Sequence, residues 1–478
     1  MKITVEHSGK KHIQYYDTSV RLIDALRDMN IIIPSDCNGR GICGKCEVLA
    51  FGDLSPVTER EIKLFGPSSP LRLACLTKAT GDVQIIYNTN DKRMQVLTGG
   101  IWPDIEINQA PGTGLAVDIG TTTVAAWSFD LETGNRKETF TLENPQRLYG
   151  GDVLSRMEFA AGGGLDTLKG QINKVIDDLI CKTDASRVVL SGNTAMLHFA
   201  AGFSTDKMTV APFTPSSLFG TKIDGKYFSP CVSAYFGSDI VNGIATCGMD
   251  NIYPSLIADI GTNGEMAVFD GENYYCCSTA AGPAFEGYGI DCGMPAVDSA
   301  INKVYVENGK LKYTVIGGKK PAGLCGSGIA DYISCLIELG ICDKSGYMEK
   351  THHLCEEVYI TPNDIRNFQL AKAAIRAGIE TLLEISSTAG KIKAFYLAGG
   401  LGNSVDIECA VKLGLVPDEF KGIAIPAGNT SLTGAAASLL SEKFSEKAKN
   451  ISKQCKVIEL ADSEIFADNF IKYMSFGG

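Results

Sequence analysis

The sequence predicts a mixed fold, with a small α+β module at the amino-terminal end and a large α/β module built from two similar halves. Three observations carry that expectation. Three cysteines crowd into one glycine-rich loop, Asp36 to Cys46 (DCNGRGICGKC), set among strand-like segments. The tetrapeptide Asp-Ile-Gly-Thr ends an apolar strand at Asp118 and again at Asp259. Finally, 478 residues exceed what one core ordinarily holds, so more than one domain is expected.

Composition narrows the function classes. A chain that is 45% apolar and 21% charged is globular. It has no continuous apolar run of membrane-spanning length, and its start, MKITVEHSGKK, lacks the apolar stretch of a signal peptide. The expected location is therefore cytoplasmic, with no membrane span. A net charge of −11 offers no basic footprint for nucleic acid. Sixteen cysteines in a reducing compartment point to metal ligation and buried thiols, not a disulfide framework.

Residues 1–90 read as strands around one helix. KITVEH and HIQYYD alternate, and VRLIDALRDMN places Leu22, Ile23, Leu26 and Met29 at helical spacing. After Pro34 comes the loop, in which Cys37, Cys43 and Cys46 follow C-x5-C-x2-C and Cys75 in RLACLTKA is a distant fourth thiol. That pattern is one residue longer in its first gap than the plant-type C-x4-C-x2-C arrangement of 2Fe-2S proteins. Gly39, Gly41 and Gly44 let the backbone curl with its N–H groups inward. Structural zinc would usually bring two short C-x2-C pairs, which are absent here. The module resembles the β-grasp ferredoxins, with GDVQIIYN expected to close the sheet. Residues 91–112, mixed in polarity and rich in Gly and Pro, read as a linker.

Residues 113–478 form the large module, with its second half beginning near residue 255. LAVDIGTTTVAAWSF is a strand, a tight turn and a second strand, and IADIGTNGEMAVF repeats the arrangement. Such turns suit phosphate. Gly120 and Gly261 let the backbone approach an anion, while Thr121, Thr122, Thr123, Thr262, Asn263 and Gly264 offer hydroxyl, amide or N–H donors. The strand-end carboxylates Asp118 and Asp259 are placed to hold Mg2+ through its waters, and Glu265 to orient an attacking water. Asp239 is a further acidic candidate. FYLAGGLG runs into Gly399, Gly400 and Gly402, bare backbone on which a base and ribose can lie. LSGNTAMLHFAAG and GLCGSGIADYI each set small residues before a helix. DIGT alone would be an ordinary hairpin turn, and no P-loop is present.

In combination these segments resemble the phosphate 1, phosphate 2 and adenosine motifs of the actin, sugar kinase and Hsp70 superfamily (ASKHA). That resemblance implies two RNase-H-like lobes closing on Mg-ATP. A ferredoxin module fused to such a domain resembles the reductive activators of corrinoid-dependent enzymes. CSTAAGPAFEGYGIDCGMPAVDSAI at Cys277 and AYFGSDIVNGI at Ala234 resemble that family's versions of the lobe segments. The resemblance implies a 2Fe-2S cluster on Cys37, Cys43, Cys46 and Cys75, and ATP with Mg2+ in the cleft. It also implies a partner protein carrying a Co(II) cobamide, a low-potential electron donor, and pairing of two chains through the large module. The chain differs from relatives that carry an extra segment before phosphate 1 or a cysteine-rich tail: no cysteine follows Cys455.

The corrinoid itself is not expected on this chain, because none of its five histidines sits in the D-x-H-x-x-G pattern of base-off cobalamin domains. His198 reads as a satisfied helix residue, and His352 and His353 as part of a surface loop. Cys276, Cys277, Cys292 and Cys325 read as buried thiols, not a second cluster. Three rival readings stand beside the main one. A nucleotide-gated redox sensor would lack turnover. An activator of a radical dehydratase would lack the ferredoxin loop. A small-molecule kinase would leave the cluster idle.

Overall fold

In the computed structural model the described residues are all except 8, 9, 30, 32, 34, 36–38, 42, 43, 68, 88–99, 403 and 478. The first sheet runs, edge to edge, Lys10–Tyr15, Lys2–His7, Lys78–Ile86, Glu47–Leu54 and Leu71–Leu73, with Val20–Arg21 also pairing to Lys78–Ile86. Lys2–His7 and Lys78–Ile86 are parallel and the other pairs antiparallel. The strand containing GDVQII, expected to close the sheet, lies at its centre and joins Lys2–His7 to Glu47–Leu54. Alternation explains this, since Ala79, Val83 and Ile85 point into the core beside Ile3 and Val5. The helix Leu22–Asp28 buries Leu22, Ile23, Ala25 and Leu26 on that same core.

The large module holds two more six-stranded sheets with one plan. In the first, Thr113–Ile119 forms a hairpin with Thr123–Asp130, continues to Arg136–Glu143, and lies parallel to Ala185–Gly192 on its other side. In the second, Ser255–Ile260 forms a hairpin with Gly264–Phe269, continues to Tyr274–Thr279, and lies parallel to Ala394–Ala398. The sequence repeat is thus a repeat of whole half-sheets. Each Asp-Ile-Gly-Thr turn stands at the tip of its sheet's central hairpin, near residues 120 and 261.

Helices cover both faces of each sheet, and two of them change sides. Ser238–Cys247, which precedes the second sheet in the chain, packs Ile240, Val241 and Ile244 under Ile257 and Ala267 of that sheet. Thr430–Leu440, which follows the second sheet, returns to the first and packs Leu432, Ala436 and Leu439 on Ala116, Ala125 and Val189. The two helices cross closely: a Cβ on Gly434 would lie 2.4 Å from Asn242 Cβ. The crossing is stitched by bonds from Asn242 Nδ2 to Ser191 Oγ at 2.8 Å and between Ser191 and Ser431 hydroxyls at 2.9 Å.

Residues 100–112, read as linker from sequence, run strapped against the large module. Ile101 donates to Ala427 O, Asn108 to Leu440 O and Ala110 to Leu131 O, at 2.8 to 3.1 Å. His352 and His353 form a short strand against Tyr359–Ile360, correcting the loop reading, and Tyr332 Oη lies 2.7 Å from His352 Nδ1. His198 is fully buried, its Nδ1 2.7 Å from Thr194 O. Among the described residues no helix is long and apolar enough to cross a membrane.

Candidate nucleotide cleft and cluster loop

The cluster loop is built from backbone that few side chains tolerate. Gly39, Gly41 and Gly44 take φ of 77°, 76° and 74°, and a Cβ on Gly41 would meet Leu76 Cδ2 at 2.7 Å. Cys46 and Cys75 are buried with their sulfurs 3.3 Å apart. That is too long for a disulfide of about 2.05 Å, and short enough for both thiolates to share one metal centre. The Cys75 thiol is pulled down to about 7, chiefly by its bond with Cys46. Cys37 and Cys43 lie outside the described residues, so the structure speaks to two of the four expected ligands. The thiol pair and the left-handed glycines fit a 2Fe-2S cluster.

The Cys75 segment is held by one buried carboxylate. Thr58 and Glu61 form a capping box, and Glu61 also accepts from Arg72 Nε at 3.0 Å, Leu73 N–H at 3.0 Å and Thr77 Oγ1 at 2.9 Å. These donors straddle Cys75. Burial opposes ionisation of Glu61, but Arg72 and the Thr58 and Leu73 amides outweigh it and hold the carboxyl down to about 2.

Between the two large sheets lies a cleft of about 900 Å³. It is lined by Asp118, Gly120, Thr121, Thr122 and Thr123 from the first hairpin, and by Asp259, Gly261, Thr262, Asn263 and Glu265 from the second. Gly399 and Gly400 complete it from the Ala394–Ala398 strand end, with Gly399 at φ 79° and 2.4 Å from Asp259 Oδ1 to where its Cβ would be. Gly264 and Gly402, grouped with these from the sequence, pack inward against Ile375 and Leu397. Of the four sulfurs considered together, Cys325 lines the cleft, Cys276 and Cys277 are buried in their strand, and Cys292 is partly exposed.

The cleft floor is acidic. Asp259 is pushed up to about 8 by burial and by the charges of Asp239, Asp118 and Glu286. Asp239 rises to about 7 by burial with Asp118 beside it, and Glu265 is raised well above its ordinary range by burial, Asp239 and Asp259. Burial also raises Asp118, against bonds from Ser431 Oγ at 2.6 Å and Asn429 Nδ2 at 3.0 Å. Mutually repelling carboxyls of this kind fit a divalent cation. Among the described residues no three His, Cys, Asp or Glu side chains form a metal cage.

Behind the first turn lies a buried cation. Arg156 is fully buried and donates to Thr121 O at 2.5 Å and Gly150 O at 2.9 Å; among the described residues no carboxylate forms an ion pair with it. Burial pushes its guanidinium down to about 9. Its bond to Thr121 O polarises the peptide whose N–H belongs to Thr122.

Sequence reasoning missed Asn193, Asn429 and Ser431. Asn193 Nδ2 donates to Thr121 Oγ1 at 3.3 Å, and both asparagines cap helices, at Thr194–Ala201 and Thr430–Leu440. The available signal was a second repeat: Gly-Asn-Thr occurs at Gly192 and again at Gly428. Glu286 and Tyr288 also line the cleft. Glu286 accepts from Thr122 Oγ1 at 3.1 Å and Thr262 Oγ1 at 2.8 Å, so one carboxylate touches both turns. The Lys45 ammonium lies 4.9 Å from the centre of the Tyr288 ring.

Comparison with known proteins places this arrangement. Family models match as the 2Fe-2S iron-sulfur cluster binding domain at residues 5–80, the RACo middle region at 113–252, and the C-terminal domain of RACo, the ASKHA domain, at 253–477. The chain is 31% identical over 424 residues to the corrinoid activation enzyme RamQ of Eubacterium limosum, covering 77% of this chain and 71% of that protein. It is 27% identical over 421 residues to a Co(II) methylated amine-specific corrinoid protein reductase of Methanosarcina barkeri, covering 76% and 77%. A solved reductive activator for corrinoid, iron-sulfur protein superposes with TM-score 0.69 at 26% identity, over 99% of this chain and 98% of that one.

Proposed function

The chain belongs to the reductive activators of corrinoid-dependent enzymes, and on that premise we propose that it returns the inactive Co(II) corrinoid of a partner protein to Co(I). In this reading the electron comes from a low-potential donor by way of the amino-terminal module, and ATP drives the transfer. A bound 2Fe-2S cluster supplies a one-electron donor, and Mg-ATP supplies free energy that depends on lobe position.

The chain's own residues take these parts. Cys37, Cys43, Cys46 and Cys75 hold the cluster. Thr121, Thr122, Thr123, Thr262 and Asn263 donate to phosphate oxygens, with Gly120 and Gly261 giving the backbone access. Asp118 and Asp259 hold Mg2+, Glu265 orients water, and Gly399 and Gly400 bed the base and ribose. The ferredoxin module is taken as residues 1–90, the two-lobed domain as 113–478, and the cytoplasm as the site of action. Pairing of two chains through the large domain is part of the same reading.

Energetics explain why the two modules share a chain. A plant-type cluster lies near −400 mV, and the second reduction of a corrinoid is expected to be more negative. A gap of roughly 240 mV corresponds to about 5.5 kcal/mol for one electron, within what nucleotide-dependent contacts can supply. The observation that carries the proposal is the contact of Lys45, beside the cluster ligand Cys46, with Tyr288 at the cleft. The electron site and the nucleotide site are then neighbours.

The test is anaerobic. The cluster-loaded protein is mixed with a Co(II) corrinoid protein and a low-potential donor, and the cobalt spectrum is followed with and without Mg-ATP. Co(I) is expected only with nucleotide, and its absence under every condition overturns the proposal. Corrinoid-stimulated ATP hydrolysis separates this reading from a redox sensor without turnover.

A further inference from the structure

The turn Pro283–Glu286 and the two residues after it stand between the phosphate turns and the cluster loop. Its backbone is pinned: Gly287 and Tyr288 donate back to Ala284 and Pro283 at 3.1 and 3.0 Å, and a Cβ on Gly287 would lie 2.3 Å from Met294 O. Phe285 is buried edge-on against Phe368, 5.4 Å between ring centres. From this fixed base Glu286 takes Thr262 of its own lobe and reaches Thr122 of the other. Those hydroxyls are the donors assigned to phosphate. A phosphate that claims them must displace a carboxylate of its own sign.

Two residues on, Tyr288 Oη is bonded by Arg147 Nη2 at 3.1 Å, and the ring carries Arg147 at 5.4 Å and Lys45 at 4.9 Å from its centre. Arg147 lies in the turn Pro145–Tyr149. Asn144, just before it, donates through Nδ2 to Gly120 O at 2.8 Å and through its N–H to Thr122 O at 2.9 Å. A second contact, Arg27 over the Tyr149 ring at 5.7 Å, ties the ferredoxin module to the same turn. These two contacts between the modules therefore end within a few bonds of a phosphate turn.

We propose that Glu286 is the residue through which phosphate in the cleft repositions the cluster loop. The inference rests on the nucleotide reading above. Carboxylate and phosphate exclude each other: when phosphate takes Thr122 and Thr262, the Glu286 side chain swings out on its fixed backbone, and Thr122 is freed to move with the Asn144–Arg147 segment bonded to it. Arg147 then shifts against the Tyr288 ring, and the hold on Lys45 is released. A carboxylate that only fastened the lobes would behave oppositely, since its loss would loosen the cleft and weaken nucleotide binding. The sign of the affinity change separates the two roles.

The experiment uses the full cluster-loaded chain under anaerobic conditions. Calorimetry measures binding of the β,γ-imido analogue of ATP with Mg2+, and hydrogen–deuterium exchange follows the peptide spanning position 45. In the unmodified chain the analogue is expected to raise exchange of that peptide. Glu286→Gln and Glu286→Ala are expected to bind the analogue roughly tenfold more tightly, and Glu286→Ala to show raised exchange before any nucleotide is added. Lys45→Met is expected to keep the affinity while its peptide no longer responds. Visible absorbance confirms cluster content, and the isosteric Gln variant carries the test if Glu286→Ala fails to load. Equal or weaker binding by the Glu286 variants, or a Lys45 peptide indifferent to nucleotide, overturns the inference. No corrinoid enters these measurements, so either result leaves the Co(II) reduction test standing, whereas failure to bind the analogue at all overturns both.

Discussion

Replacing Glu61 by Gln removes a charge from the centre of the only buried ion pair tying down the fourth cysteine's segment among the described residues. The side chain is fully buried and Arg72, its partner at 3.0 Å, is 4% exposed. Glutamine fills the same space and still accepts from an amide, but it leaves the Arg72 guanidinium buried without a counter-charge. Breaking a buried pair from one side costs about 3–5 kcal/mol. For a domain of this size each kcal/mol shifts the midpoint by roughly 4–8 °C, so even the lower figure predicts a fall of more than about 12 °C. The assay is thermal loss of the cluster's visible circular dichroism in the full chain, which reports this module alone. A double variant, Glu61→Gln with Arg72→Leu, is expected to recover much of the loss, because the glutamine oxygen can still accept from the Thr58, Leu73 and Thr77 donors and no lone charge remains. A fall below about 3 °C, or a double variant as unstable as the sum of its parts, would refute this account.

The same carboxylate sets a pH response. Because Glu61 is held down to about 2 in the fold, its contribution is complete above about pH 4.5 and is lost as pH falls towards 2; acid titration of iron-free protein by far-ultraviolet circular dichroism should show this, and Glu61→Gln should flatten it. If Asp259 holds Mg2+ as proposed, Mg2+ affinity, read by calorimetry, should rise between about pH 7 and 9, since Asp259, raised to about 8, must then lose its proton. Asp259→Ala should lower ATP hydrolysis at least about a hundredfold and weaken Mg2+ binding; full activity with unchanged Mg2+ affinity would remove it from the metal site. Arg156→Met should weaken ATP roughly tenfold while leaving adenosine nearly unaffected, with Arg156→Lys in between, if the turn it backs at Thr121 O binds phosphate as proposed.

What the sequence made legible was whatever depends on a few adjacent residues. The cluster loop and both Asp-Ile-Gly-Thr turns are chemistry written in consecutive letters; the described part of the loop brings Cys46 beside Cys75, and both turns line one cleft. The interior position of Lys78–Ile86 was harder, because its alternation fits an edge or a centre and only the parallel pairing with Lys2–His7 decides. The Asp118 partners were invisible for another reason. Asn429 and Ser431 are more than three hundred residues away in the chain and reach Asp118 only because the helix Thr430–Leu440 returns to the first sheet. The repeated Gly-Asn-Thr was readable, yet nothing local says that its asparagines face a cleft. Glu286 sits in a segment whose resemblance was noted, but its bond across the lobes depends on how the two sheets are set against each other.

The exchange of helices between the two sheets makes each half a borrower. Cut between the family regions, near residue 252, the front fragment would expose Ala116, Ala125 and Val189, while the back fragment would present Leu432 and Leu439 with nothing beneath them. Neither piece should be soluble by itself, and co-expression of both should restore a stoichiometric pair. Melting of the large domain should accordingly register as a single transition, even though its chain describes two near-copies of one motif.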